Sequence, residues 1–106
     1  MATGIPNVRP GWAQDRTRFT TEGLVYYLER MDGAIKIGCT RNFTDRRYTL
    51  RRRHGPLNLI AWEFGYYAIE EVRHEQFAAL RLDPIAEWFR PESELIDHVL
   101  MLRALL

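Results

Sequence analysis

Between Arg41 and Arg53 the chain carries six arginines against one aspartate. A guanidinium stays charged and donates paired hydrogen bonds, so such a cluster suits phosphate. Phe43, Arg46, Leu50 and Arg53 recur at three- and four-residue spacings, which on a helix form one stripe. Arg46 then lies between two apolar residues on the inward-leaning side, and Arg47 or Arg51 on the outer one. Further on, Glu70, His74 and Phe77 share a helical face, while Glu71 and Glu75 form an outer charged pair. Cleavage of a phosphodiester requires an oriented or deprotonated water, an electrophilic phosphorus, compensation of charge on its oxygens, and a stabilised leaving oxygen. Arginine meets the charge requirement, and a single carboxylate suffices for Mg²⁺, which keeps most of its waters. Taken alone, each cluster also reads as a solvated helix face.

The elements that must position these groups follow from periodicity and turn chemistry. Leu24 to Arg30 and Ala34 to Thr40 read as strands joined by Met31-Asp32-Gly33, a hairpin signal. Gly38, inside the second strand, marks a close backbone approach. Asn42 can cap a helix to about His54, with Asp45 completing a partial capping box and Gly55-Pro56 ending it. Leu57 to Tyr66 alternates, with Ile60, Trp62, Phe64 and Tyr66 on one face and Leu59, Ala61 and Glu63 on the other. Ala68 to Leu82 reads as a helix burying Ile69, Val72, Gln76, Phe77 and Leu80. Glu87-Trp88-Phe89 is a short extended segment, and Pro91 suits the start of a last helix, apolar from Ser93 to Leu106. The order is ββαβα(β)α: an α+β domain with a small three-stranded antiparallel sheet flanked by helices. Residues 1–20 read as an extended arm that orders by packing Ile5, Val8 or Trp12 on a body spanning 21–106.

Composition bounds the function. A chain of 106 residues, 46% hydrophobic and 27% charged, has room for one domain. No apolar run approaches the ~20 residues of a membrane span, so no membrane partner is expected. No basic segment followed by a hydrophobic stretch marks the N-terminus, and Cys39 stands alone. An internal disulfide and a cysteine-based zinc cluster are thereby excluded, and a cytoplasmic location is expected. Cys39 reads as a small core residue. Tyr48, Trp62 and Tyr66 could stack on bases, but buried aromatic packing is the expectation for all three.

Gly23-Leu24-Val25-Tyr26-Tyr27, then Lys36-Ile37-Gly38, then Arg46 eight residues on, then Glu70 and His74, then Glu87-Trp88-Phe89 form an ordered series. The series resembles the GIY-YIG nuclease module over about residues 23–100, in particular its short phage and bacterial branch. That resemblance implies a metal-dependent endonuclease acting on nucleic acid, DNA favoured, with Mg²⁺ or Mn²⁺ as cofactor. It implies that Tyr26 positions or activates the attacking water, that Arg46 binds the scissile phosphate, and that Glu70 holds the metal; Glu71, about 100° round the same helix, is the rival, and the face Glu70 shares with His74 and Phe77 favours Glu70. Lys36 stands where the second tyrosine would be, and could contact phosphate or supply a proton. Gly38 and His74 then support the site, His74 as an orienting group rather than a ligand. Arg41, Arg47, Arg51, Arg52 and Arg53 would bind the nucleic-acid backbone. The chain departs from many relatives in having Glu87-Trp88-Phe89-Arg90 where they place an asparagine. Glu87 could cap or hydrogen-bond the adjacent turn.

Two other readings stay open: a binding module of the same fold without turnover, and a small interaction domain docking through its apolar last helix. That helix would also serve a homodimer. Cutting that needs Arg46 and Glu70, salt-sensitive binding without cutting, and protein association alone separate the three.

Overall fold

The computed structural model describes residues 2–13 and 15–106. Its regular elements are α1 (Arg16–Glu22), β1 (Leu24–Arg30), β2 (Ile35–Thr40), α2 (Phe43–His54), β3 (Leu57–Phe64), α3 (Tyr67–Gln76), β4 (Trp88–Phe89) and α4 (Ser93–Ala104), with 3-10 turns at Gly11–Ala13 and Ala78–Leu80. Strands β1 and β2 fold back at Asp32-Gly33, where Gly33 takes a φ of 92° and the Asp32 carboxylate accepts from the Ala34 N–H at 3.1 Å. Strand β3 pairs with the other side of β1, and β4 with β2 through Ile35 and Lys36. The sheet runs β3-β1-β2-β4, antiparallel throughout, so the short extended segment after Pro84 completes a fourth strand.

Both faces of the sheet are buried. Val25, Tyr27, Ile35, Ile37 and Cys39 meet Phe77, Leu95, Val99 and Leu102 on the side of α3 and α4. Leu24, Tyr26 and Leu28 meet Phe43, Leu50 and Trp88 on the side of α2, where Val8 and Trp12 also pack. Asn42 caps α2 as its type and position indicate: its side-chain oxygen accepts from the Asp45 N–H at 3.2 Å, and its amide donates to the Asp45 carboxylate at 2.8 Å. Gly55, at φ 81°, closes the helix with its N–H on the Arg51 carbonyl at 2.9 Å.

Within the segment read as an arm, residues 2–10 have no regular secondary structure, and the 3-10 turn and α1 are helical rather than extended. The arm lies along β3. The Val8 N–H donates to the Leu59 carbonyl at 2.7 Å, and Asn7 Oδ1 accepts from the Leu59 N–H at 2.8 Å. Trp62 Nε1 donates to the Arg9 carbonyl at 3.1 Å, and Arg103 joins the Pro6 and Ile60 carbonyls at 2.8 and 2.9 Å.

Several sequence expectations change. The alternation along β3 breaks at Ile60, because the β1–β3 register shifts between Tyr27 and Leu28. Leu57 and Leu59 therefore share a face with Trp62 and Phe64, and Ile60 joins Ala61 on the opposite one. The helix expected over 68–82 stops at Gln76, and its packed side carries Ile69, Glu70, Arg73 and His74, with Val72 and Gln76 exposed. Pro91 precedes α4 rather than opening it: Ser93 is the first helical residue. On α4, Leu95, His98, Val99 and Leu102 are buried, and Leu100, Met101, Leu105 and Leu106 are exposed. None of the described helices is long and apolar enough to cross a membrane.

Candidate active site

Strand β2 has a strand on its outer side only at Ile35 and Lys36. Beyond them, the Ile37 N–H donates to the Glu87 carbonyl at 3.1 Å, and His74 Nε2 meets the Ile37 carbonyl at 2.7 Å. This open edge forms a cleft of about 460 Å³ between α2 and α3. Tyr26, Lys36, Arg46, Arg53, Glu70 and Glu87 line it.

Tyr26 reaches the cleft by crossing its neighbouring strand. Gly38 sits opposite it in the β1–β2 register, and a Cβ at Gly38 would lie 2.4 Å from the Tyr26 hydroxyl oxygen. Only hydrogen at that position lets the ring lie over the strand. The ring is 1% exposed, yet among the described residues its hydroxyl has no hydrogen-bond partner and is not sealed from solvent. Burial pushes the phenol well above its ordinary pKa; Arg46 pulls it down, while Glu87 and Glu70 push it up. The free protein therefore carries a neutral hydroxyl here.

Arg46 enters from α2, but not by the stripe read from the sequence. The packed stripe is Phe43, Arg47, Leu50 and His54; Arg46 flanks it on the cleft side and is exposed. Position 47 is four residues after Phe43 and three before Leu50, as is position 46 within one residue, and the helix rotates toward 47. Arg46 makes no side-chain hydrogen bond or ion pair among the described residues, so its fork is available. Arg47 is instead held to the Leu57 carbonyl at 3.2 Å and to Asn7 Oδ1 at 3.3 Å.

From the other flank α3 supplies Glu70 and His74. One oxygen each of Glu70 and Glu87 and one ring nitrogen of His74 lie within 4.8 Å of one another. Since His74 Nε2 faces a carbonyl, Nε2 carries the proton and Nδ1 is the ring's acceptor. Two carboxylates and an imidazole suit Mn²⁺ and, through the oxygens, Mg²⁺. Glu87 was read from the sequence only as a turn partner; it lies on a short segment whose spacing from Glu70 has no periodic signature. Lys36 Nζ pairs with Glu87 at 3.3 Å and lies 5.7 Å from the Trp88 ring. Burial, then a hydrogen bond to Glu70, raises the Cys39 thiol to about 12, which leaves it protonated and no nucleophile.

The remaining arginines separate. Arg53 borders the cleft, Arg41 stacks 4.3 Å from the Tyr66 ring centre, and Arg47, Arg51 and Arg52 face the opposite flank of α2. Tyr48, expected in the core, is 64% exposed on that flank, and Trp62 is buried.

Arg73, unremarked in the sequence, fixes α3 in place. It donates twice to Glu63 at 2.9 Å, and Glu63 also accepts from the Tyr27 hydroxyl at 2.6 Å. His98 Nε2 completes the group 2.9 Å from the same hydroxyl.

The T5orf172 domain matches residues 23–102. The chain belongs to the T5orf172 domain family. Comparison with curated proteins and with solved structures finds no match. The T5orf172 span covers every residue lining the cleft, and the arm along β3 lies outside it.

Proposed function

We propose that this T5orf172 domain is a GIY-YIG-type endonuclease that hydrolyses phosphodiester bonds in DNA with Mg²⁺ or Mn²⁺. The observation that carries the reading is the convergence of an unpaired arginine, a neutral tyrosine hydroxyl and a Glu-His-Glu donor group on one open strand edge. Glu70, His74 and Glu87 would hold the cation, which gives His74 a ligand's place where the sequence suggested an orienting one. When bound, it would withdraw charge from the phosphate and favour ionisation of water. Arg46 compensates charge on the phosphoryl oxygens through two parallel hydrogen bonds. Tyr26, held as a phenol, orients the attacking water through its hydroxyl rather than deprotonating it. Lys36 can donate a proton to the leaving oxygen once Glu87 turns from it.

One observation favours a second reading, binding without turnover: the Lys36–Glu87 ion pair already occupies one of the three donors. Incubation with plasmid, single-stranded DNA and RNA, with and without Mg²⁺ or Mn²⁺, separates the two. Cutting is expected only with the ion, and Arg46→Ala or Glu70→Gln should each reduce it by at least about 10²-fold, the scale of losing one charge-stabilising group. Both variants should still bind DNA. Activity that survives EDTA, or Glu70→Gln at the wild-type rate, would overturn the metal-dependent reading; binding with no cutting under any ion would establish the second.

A further inference from the structure

The side of α2 away from the cleft carries a groove of about 600 Å³, closed by the N-terminal segment. Its floor is aromatic: Trp12 and Phe43 pack with ring centres 5.3 Å apart. Tyr48 stands exposed at the rim, with the Arg52 guanidinium 5.7 Å from its ring centre. Arg47 and Arg51 complete the rim, and no acidic residue lines the groove among the described residues. Arg47 Nε is sealed from solvent without a hydrogen-bond partner. Burial, and then the charge of Arg51, lowers the Arg47 pKa, and no acidic side chain in the groove lining offsets the two cations.

An aromatic floor under uncompensated arginines is complementary to a nucleotide: a flat ring to stack and a phosphate to pair. Arg46 and Arg47 are adjacent in sequence and splay to opposite flanks of one helix, Arg46 to the cleft and Arg47 to the groove. A helix with its side chains is about 10–12 Å across, so a strand draped over α2 reaches both. A base inside a duplex is stacked on both faces and must unpair before it can enter a pocket. We infer that the groove between α2 and the N-terminal segment holds an unpaired nucleobase of the strand whose phosphate lies in the cleft, so that the substrate is a nucleic acid with an unpaired segment beside the cut. This rests on the nucleolytic reading above and adds the substrate class.

The test is equilibrium binding by fluorescence anisotropy without divalent ions, on wild type, Tyr48→Ala and Tyr48→Phe. The probes are a labelled oligothymidine, the same strand with a run of abasic positions, and a blunt duplex. Tyr48 is exposed, and circular dichroism checks that both variants keep the fold. Wild type should bind the thymidine strand about tenfold more tightly than the abasic one, the scale of one base–aromatic stack. Tyr48→Ala should abolish that difference, Tyr48→Phe should keep it, and duplex affinity should move less than about twofold. Equal affinity for duplex and single strand in wild type, no penalty for abasic positions, or an equal loss on all probes in Tyr48→Ala would overturn the base site alone. Binding to none of the three probes would overturn the nucleolytic reading as well.

Discussion

At the scale of single residues, Gly38 has no room for a side chain. Its missing Cβ is the space that Tyr26 occupies, and the Tyr26 ring is buried too fully to swing aside. Gly38→Ala is expected to cost about 1–3 kcal/mol of stability, as overpacking does, and to displace the hydroxyl from the cleft. Urea denaturation and a cleavage assay on the same preparation check this; unchanged values in both would show that the ring moves freely. The sequence pointed to Gly38 as a close approach because a strand glycine has few other uses. It pointed to Arg46 through a helical stripe that the structure replaces: a spacing of three and a spacing of four differ by about 100° of rotation, and only tertiary packing selects between 46 and 47. Glu87 was hidden for another reason. Glu87, just before β4, and His74 on α3 meet at Ile37 of β2, and no local period records that meeting.

At the scale of elements, the orientation of α3 sets where Glu70 and His74 point, and Glu63 anchors it. Burial alone would raise the Glu63 carboxyl; the His98 imidazole 3.9 Å away and hydrogen bonds from Arg73 and Tyr27 outweigh it and hold the group at about 2, below its ordinary 4.5. A carboxylate depressed in the folded state stabilises the fold fully above its unfolded pKa and loses that contribution as pH falls through the folded one. Melting temperature should therefore fall between about pH 4.5 and about pH 2. Glu63→Gln should lower stability at pH 7 by about 1.5–3 kcal/mol, the scale of a hydrogen bond to a charged group, and flatten the acid limb. A Glu63→Gln melting curve parallel to wild type across that window would exclude the anchor. Local signals served the elements unevenly. The Asn42 cap and Gly55 stop state the bounds of α2 within the chain itself. The bulge in β3 does not, since Ile60 is as apolar as its neighbours and only the pairing with β1 reveals the extra residue.

At the scale of the whole molecule, a formal charge of +1 is too small to attract DNA by itself. Attraction must come from the concentration of arginines on α2, which faces the cleft on one flank and the aromatic groove on the other. Affinity for DNA should fall linearly in a log–log plot against salt, and Arg53→Ala should reduce the slope by about one counterion-release unit. A flat plot would count against any nucleic-acid role, catalytic or not. The path of residues 2–10 has a different consequence. They lie against Leu59 on the outermost strand of the sheet, where backbone donors and acceptors would otherwise face outward. The family match begins at Gly23, past this cover. A chain trimmed to the family boundary would keep every group in the cleft and still present a bare strand edge, a template on which further copies can add and aggregate.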